Sequence, residues 1–342
     1  MTTGIVRDSR YFDHNMGPFH VESPERIKAI YNMLDSEFDF PLHSIEPRVA
    51  EEKEILAVHT QPYFDRVRET AGRDRVILDP DTSTSAKSFD VARLASGGVL
   101  NALDRIMEGE CQNGFALIRP PGHHAEASQA MGFCLFNNIA VGAEYLIQKH
   151  GLQKILILDW DLHHGNGTQH SFEDRSDVLY ISTHQFPHYP GTGSHTETGR
   201  EDGIGFTVNF PLLSGKTDED YLYIFETLIN PICSEFGPDF FLISAGFDIY
   251  QNDPLGGMNI TAQGFGALTR SMMISAQELC NGRLLFVLEG GYDLEGLSQG
   301  VKQVLLQLVG QADEPHIEPK ASSRLTEELR PVVPILKKFW TL

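Results

Sequence analysis

Short apolar runs, separated by amphipathic segments of helix length, organise this chain. Phe115–Ile118, Ile155–Leu158, Val178–Ile181, Phe206–Phe210, Phe240–Ile243 and Leu284–Leu288 each read as a buried strand. Between them apolar positions recur with a helical period. Val91, Leu94, Ala95, Val99, Ala102, Leu103 and Ile106 mark one face; Ile139, Ala140, Ala143, Leu146 and Ile147 mark the next. Leu222, Phe225, Leu228, Ile229 and Ile232 mark a third, and Phe265, Leu268, Met272 and Ala276 a fourth. This alternation predicts an α/β fold built on a mostly parallel sheet with helices on both faces.

Local signals refine the reading. Thr217 or Asp218 is placed to cap the third helix. Ser23 followed by Pro24 opens a helix through Ile27, Ile30 and Leu34, and Pro62 opens another short helical stretch. Otherwise residues 1–60 read as irregular, and 74–89, rich in Asp, Ser and Thr, as a surface loop. Residues 311–323 read as a connection to a final amphipathic helix at about 325–340. No repeat or low-complexity linker interrupts the pattern, so one domain spanning 1–342 is expected.

The strand ends carry the chemistry. Ile155–Leu158 is followed by Asp159, Asp161 and His163 at alternate positions, which share one face while the backbone stays extended. Carboxylate with imidazole at that spacing is divalent-metal chemistry, although a hydrogen-bonded polar loop uses the same residues. The glycines that follow let the chain turn tightly into a helix. Phe115–Ile118 leads to His123-His124, Val178–Ile181 to Ser182-Thr183-His184, Phe240–Ile243 to Asp248, and Leu284–Leu288 to Gly290-Gly291-Tyr292. In a parallel sheet these ends meet at one edge. Asp161, His163 and Asp248 would supply three ligands with a fourth position open. His123 or His124 could serve as general base, with Asn166 or Asp159 holding the other ring nitrogen. Tyr292 could donate to a developing oxyanion. Cys134 reads as a small buried hydrophobe.

Composition narrows the partners. Across 342 residues the formal charge is −20, which argues against general binding of nucleic-acid phosphates but suits a basic substrate. Hydrophobic residues make up 41%, enough for a sizeable core. The N-terminus shows no signal peptide, and no run approaches the roughly 20 apolar residues of a membrane span. Cys111, Cys134, Cys233 and Cys280 are far apart, which fits a reducing cytoplasm.

Pro121-Gly-His-His-Ala125, Gly132-Phe-Cys-Leu-Phe-Asn-Asn138, Asp159-Trp-Asp-Leu-His-His-Gly-Asn-Gly-Thr168, Ala245-Gly-Phe-Asp248 and Leu288-Glu-Gly-Gly-Tyr292 together resemble the zinc-dependent histone deacetylase family. That family includes bacterial amidohydrolases and acetylpolyamine deacetylases. The likeness covers about residues 10–310, and Asn166 makes it more similar to the class II branch. It implies the arginase–deacetylase fold, a three-layer structure on an eight-stranded sheet. It implies one Zn2+ on Asp161, His163 and Asp248, with His124 as general base and then acid. His123 would be its electrostatic neighbour, paired with Asp159, and Tyr292 would polarise the amide carbonyl. Phe133 and Tyr189 would flank a narrow tunnel with Gly132 on its wall; Tyr189 replaces the family's commoner Phe. Asp81 would grip the substrate backbone at the rim. A structural K+ would sit on Asp159, Ser182 and the carbonyls of Asp161, His163 and Thr183. A second monovalent site near Phe172, Arg175, Val178 and Phe206 is a weaker correspondence. The dimanganese arginases share the fold, but Gly165 and Tyr250 stand where bridging carboxylates would be needed, so one metal is expected. An Asp-His-Asp site also accepts iron(II) or cobalt(II).

The expected activity is removal of acetyl or other short acyl groups from acyl-lysine in proteins or peptides. Deacetylation of acetylpolyamines is the alternative. Against it stand the absence of a long insertion between residues 70 and 92, and Leu255, which occupies the place of a polyamine-selective relative's gatekeeper Glu. A non-catalytic acyl-lysine reader is an alternative of another class. The sequence leaves oligomeric state open.

Overall fold

Alternate residues of the central strands enter different cores. Leu156 and Leu158 pack with Trp160, Phe225 and Phe286, whereas Ile155 and Ile157 pack with Phe172 and Tyr180. Both faces are therefore apolar, and the strands read as unbroken apolar runs for that reason. The computed structural model describes residues 2–313 and 316–342. Its strands are β1 (Thr3–Val6), β2 (His43–Ile45), β3 (Val76–Asp79), β4 (Thr82–Thr84), β5 (Asn113–Ala116), β6 (Ile155–Asp159), β7 (Val178–Gln185), β8 (Thr207–Leu212), β9 (Phe240–Ala245) and β10 (Leu284–Leu288). Eight of them form one sheet in the order β2-β1-β5-β10-β9-β6-β7-β8, with every neighbouring pair parallel.

Helices cover both faces. Pro24–Glu37, Asp218–Ile224, Ala262–Cys280, Leu294–Leu308 and Ser323–Leu336 bury apolar stripes against one core. Gln61–Arg68, Ser88–Met107 and Asn138–His150 close the other. Thr217 is the cap of its helix, in a reciprocal pair with Asp220. Asp218 instead accepts from Thr261 N and Oγ1 at 2.8 and 2.6 Å, tying two helix starts together. The same helix passes through a π-helical turn, Phe225–Ile229, before continuing as Asn230–Phe236.

Several expectations are corrected. Residues 1–60 are not irregular, since they contain β1 and β2. β2 lies at the sheet edge with two of its three residues exposed, so it shows no apolar run. Residues 74–89 are not a plain surface loop but contain the antiparallel hairpin β3–β4. Thr82–Thr84 are buried, and their hydroxyls bond to Asp81 Oδ1, Met16 O and Val76 O. A polar buried strand leaves no hydrophobic signature. β5 begins and ends two residues before the apolar run Phe115–Ile118, and β7 runs on through Ser182, Thr183 and His184. The last helix ends at Leu336, and beyond it Trp340 Nε1 donates to Gly205 O at 3.1 Å. Of the expected connection at 311–323, Glu314 and Pro315 lie outside the described residues.

Candidate active site

The C-terminal ends of β5, β6, β9 and β10 deliver the site. Beyond Asp159 the chain leaves the extended conformation and turns toward the helix Asn166–Phe172. The alternation therefore does not carry past the strand end: Asp161 and His163 gather with Asp248, whereas Asp159 pairs with His123. Asp161, His163 and Asp248 are buried, and each offers a ligand atom within 4.8 Å of the others. His163 Nδ1 lies 3.1 Å from both Asp161 Oδ1 and Asp248 Oδ2. Backbone N–H groups aim the carboxylates: Leu162 donates to Asp248 Oδ1 at 2.8 Å, and His163 donates to Asp161 Oδ1 at 2.9 Å.

The electrostatics ask for a cation. Burial and the charge of Asp161 push the Asp248 carboxyl up to about 7. Burial opposes a charge on His163, but the two carboxylates outweigh it and draw the imidazole up to about 10. A site that recruits a proton so strongly has room for positive charge. One nitrogen and two carboxylate donors, all buried, fit a divalent ion such as zinc.

Two histidines sit beside this cluster, their ring centroids 4.0 Å apart. His123 Nδ1 lies 3.0 Å from Asp159 Oδ2. Burial would lower His123, but Asp159 and Asp161 outweigh it and lift it to about 10. His124 Nδ1 lies 2.8 Å from Asn166 Oδ1. Burial and the charges of His123 and His163 hold His124 well below the ordinary imidazole range. His124 is therefore held toward its neutral form.

Tyr189 packs against His124 and His163, and two further rings pack on each other. Tyr189 meets His124 edge to face at 5.1 Å and His163 at 6.1 Å. Phe133 meets Tyr292 edge to face at 5.9 Å. Gly132 and Phe133 both have left-handed backbones, with φ of 56° and 68°. A Cβ on Gly132 would lie 2.2 Å from His124 Cδ2, so only glycine fits there. Asp81 Oδ1 accepts from Gly132 N at 3.0 Å, and Thr82 Oγ1 accepts from Phe133 N at 2.9 Å. The hairpin thus holds this wall in place. Burial pushes the Tyr292 phenol well above 10, with Asp248 and Asp161 adding to the rise, so it is a hydrogen-bond donor at neutral pH.

A histone deacetylase domain profile matches residues 20–308. The chain belongs to the histone deacetylase family. This family member is accordingly a deacetylase, a hydrolase. It is 43% identical to a probable deacetylase of Archaeoglobus fulgidus over 86% of the chain and 83% of that protein. It is 40% identical to histone deacetylase 15 of Arabidopsis thaliana, covering 94% of the chain and 59% of the plant protein. Identity to the human polyamine deacetylase HDAC10 is 39%, over 88% of the chain and 46% of that protein. The chain thus spans less than two thirds of the plant and human relatives. The crystal structure of the HDA15 HD domain is similar with a TM-score of 0.94 at 39% identity, covering 99% of this chain and 97% of that one.

Within this deacetylase fold, buried charged groups to which the sequence motifs gave no role support the site. Arg26 lies over the Tyr292 ring at 4.8 Å and donates to Glu289 O and Gly291 O, each at 2.6 Å. Asp253 Oδ2 accepts from Tyr292 N at 2.6 Å, and Asp253 Oδ1 accepts from Leu255 N at 2.9 Å. Leu255 and Tyr292 are therefore held by one carboxylate. Glu289 accepts from Gly122 N at 2.6 Å and His123 N at 3.1 Å, steadying the loop of the two histidines. Glu22 receives Arg119 at 2.5 and 2.8 Å beneath that loop. Glu289 stood in the sequence within the Leu288–Tyr292 motif, directly after the apolar run Leu284–Leu288, but without a role of its own.

Proposed function

We propose that the chain is a zinc-dependent amidohydrolase that removes acetyl or other short acyl groups from acyl-lysine side chains of proteins or peptides. The observation that carries this reading is the meeting of buried Asp161, His163 and Asp248 with His124, whose ring centroid lies 5.8 Å from that of His163. Asp161, His163 and Asp248 would hold the metal, which when bound supplies Lewis acidity toward a carbonyl and a water. His124 Nε2 takes a proton from the attacking water. The Tyr292 hydroxyl donates to the amide oxygen as negative charge builds there. His124 then returns the proton to the departing amine, giving a carboxylic acid and free lysine. His123, charged and paired with Asp159, keeps its neighbour neutral until that step. Phe133 and Tyr189 line the acyl-lysine stem, Gly132 lies on the same wall, and Asp81 meets the substrate backbone.

A structural potassium ion would sit on Asp159, Ser182 and the carbonyls of Asp161, His163 and Thr183. The parallel register that sets Ser182 beside Asp159 supports this. All four cysteines are free and buried, which suits a cytoplasmic protein. No helix among the described residues is long and apolar enough to cross a membrane.

Acetylpolyamine deacetylation is the second reading, favoured by the 39% identity to a human polyamine deacetylase. Against it stands Leu255, an apolar side chain where a distal ammonium would need a carboxylate. Rates on an acetyl-lysine peptide and on acetylated spermidine, with and without a chelator, test the assignment. Faster turnover of the polyamine would overturn the substrate, and no chelator-sensitive hydrolysis of either would overturn the reaction.

A further inference from the structure

A chain of hydrogen bonds leads from His124 to the surface. His124 Nδ1 lies 2.8 Å from Asn166 Oδ1. The other end of that amide, Nδ2, donates to Glu126 Oε1 at 2.5 Å. Glu126 faces His170 Nδ1 at 2.9 and 3.1 Å, and the His170 side chain is 41% exposed.

The amide is polar in a definite sense. Its oxygen only accepts and its nitrogen only donates. Its partners decide which end points where. An ionised carboxylate only accepts, so Glu126 must face Nδ2 and Oδ1 must face His124. Nδ1 of His124 then has to carry the hydrogen, which leaves the Nε2 lone pair for the reaction. Turned round, the amide would donate to Nδ1 and favour the tautomer protonated at Nε2, which is no base. The other acceptors of Nδ2, His124 O at 3.3 Å and Met131 Sδ at 3.4 Å, are longer and weaker.

We propose that Glu126 is a positioning residue which, through Asn166, selects the tautomer of His124, and that His170 holds Glu126 in place. The inference rests on the reading of His124 as general base. Burial pushes Glu126 up, but its bonds to His170 and Asn166 outweigh this and keep it below the ordinary carboxylate range. It is therefore an acceptor at neutral pH. A direct carboxylate at position 166 would make the relay unnecessary, because both of its oxygens accept. Asn166 supplies no charge of its own, and the charge stands one residue further out.

A double-mutant cycle tests this. Glu126→Ala should lower kcat about tenfold or more, with KM little changed. Glu126→Gln can still turn an amide oxygen to Asn166 and should recover most of that loss. In an Asn166→Asp background, Glu126→Ala should cost nothing, or raise kcat by removing a carboxylate that now faces another. Histidine 15N shifts give a readout without turnover: His124 should be the Nδ1–H form in the native protein and a mixture in Glu126→Ala. Equal losses in both backgrounds, or a His124 tautomer that Glu126→Ala leaves unchanged, would overturn the proposal. If the native protein hydrolyses neither acyl-lysine nor acetylated spermidine, the general-base reading fails, while the 15N shifts still decide the role of Glu126.

Discussion

Gly290 donates its backbone N–H to Asp161 Oδ2 at 2.9 Å, across 129 positions of sequence. The contact is close because Gly290 has no side chain. A Cβ there would lie 2.3 Å from Asp248 Oδ2 and 2.6 Å from Asp161 Oδ2. Both carboxylates are also bonded to backbone N–H groups and have little freedom to retreat.

Gly290→Ala should therefore weaken zinc binding by about tenfold or more while the fold survives. Asp248→Ala, which deletes a ligand, should release the metal altogether. Elemental analysis after dialysis against a competing chelator reads both. Stoichiometric zinc in Asp248→Ala would refute the ligand assignment.

Tyr292→Phe should lower kcat about 10²–10³-fold with zinc content unchanged. Asp253 holds the backbone of this residue and Arg26 covers its ring, so only the hydroxyl is lost. Parallel losses of turnover and metal would contradict the assigned role.

Stability should fall as pH drops below 6.5. Burial holds His14, His59 and His184 at about 4 in the folded chain, against an ordinary 6.5. Unfolding lets each take a proton near 6.5, so their contribution is complete above that value. It is lost toward pH 4, at up to about 1.4 kcal/mol per pH unit each. Burial opposes ionisation of Glu22, but Arg119 outweighs it and holds the acid at about 2. Its contribution is lost as pH falls from 4.5 toward 2. His123 and His163, raised to about 10, contribute fully below 6.5 and add no slope there. Asp248 and Glu289, pushed by burial up to about 7, take up protons in the folded chain as pH falls and offset part of the loss from the three histidines. Calorimetry in chelator from pH 7 to 4 checks this; a Tm that stays level across that range would contradict it.

Leu255→Glu should raise activity on acetylated spermidine relative to an acetyl-lysine peptide. The backbone N–H groups of Leu255 and Tyr292 share the Asp253 carboxylate, which ties the two segments together. An unchanged ratio would remove Leu255 as a determinant of substrate choice.

Much of this was legible in one dimension. Central strands such as β6 and β10, buried on both faces, advertise themselves as apolar runs, and His123-His124, Asp161-x-His163 and Gly290-Gly291-Tyr292 follow or adjoin such runs. The edge strand β2 and the buried Thr82–Thr84 were not legible. Exposed edges and hydrogen-bonded polar strands do not depend on hydrophobic periodicity.

Residue type and order were enough for the sheet, the family and the gathering of Asp161, His163 and Asp248, because burial on two faces and a shared strand-end edge each demand particular side chains at particular intervals. Folding alone set Asp253 under the backbone of Tyr292 and brought Arg26 over its ring. It also set Glu126 behind Asn166, 40 positions away. Those contacts join separate loops, and a hydrogen bond between distant loops exists only once the sheet has brought their ends together.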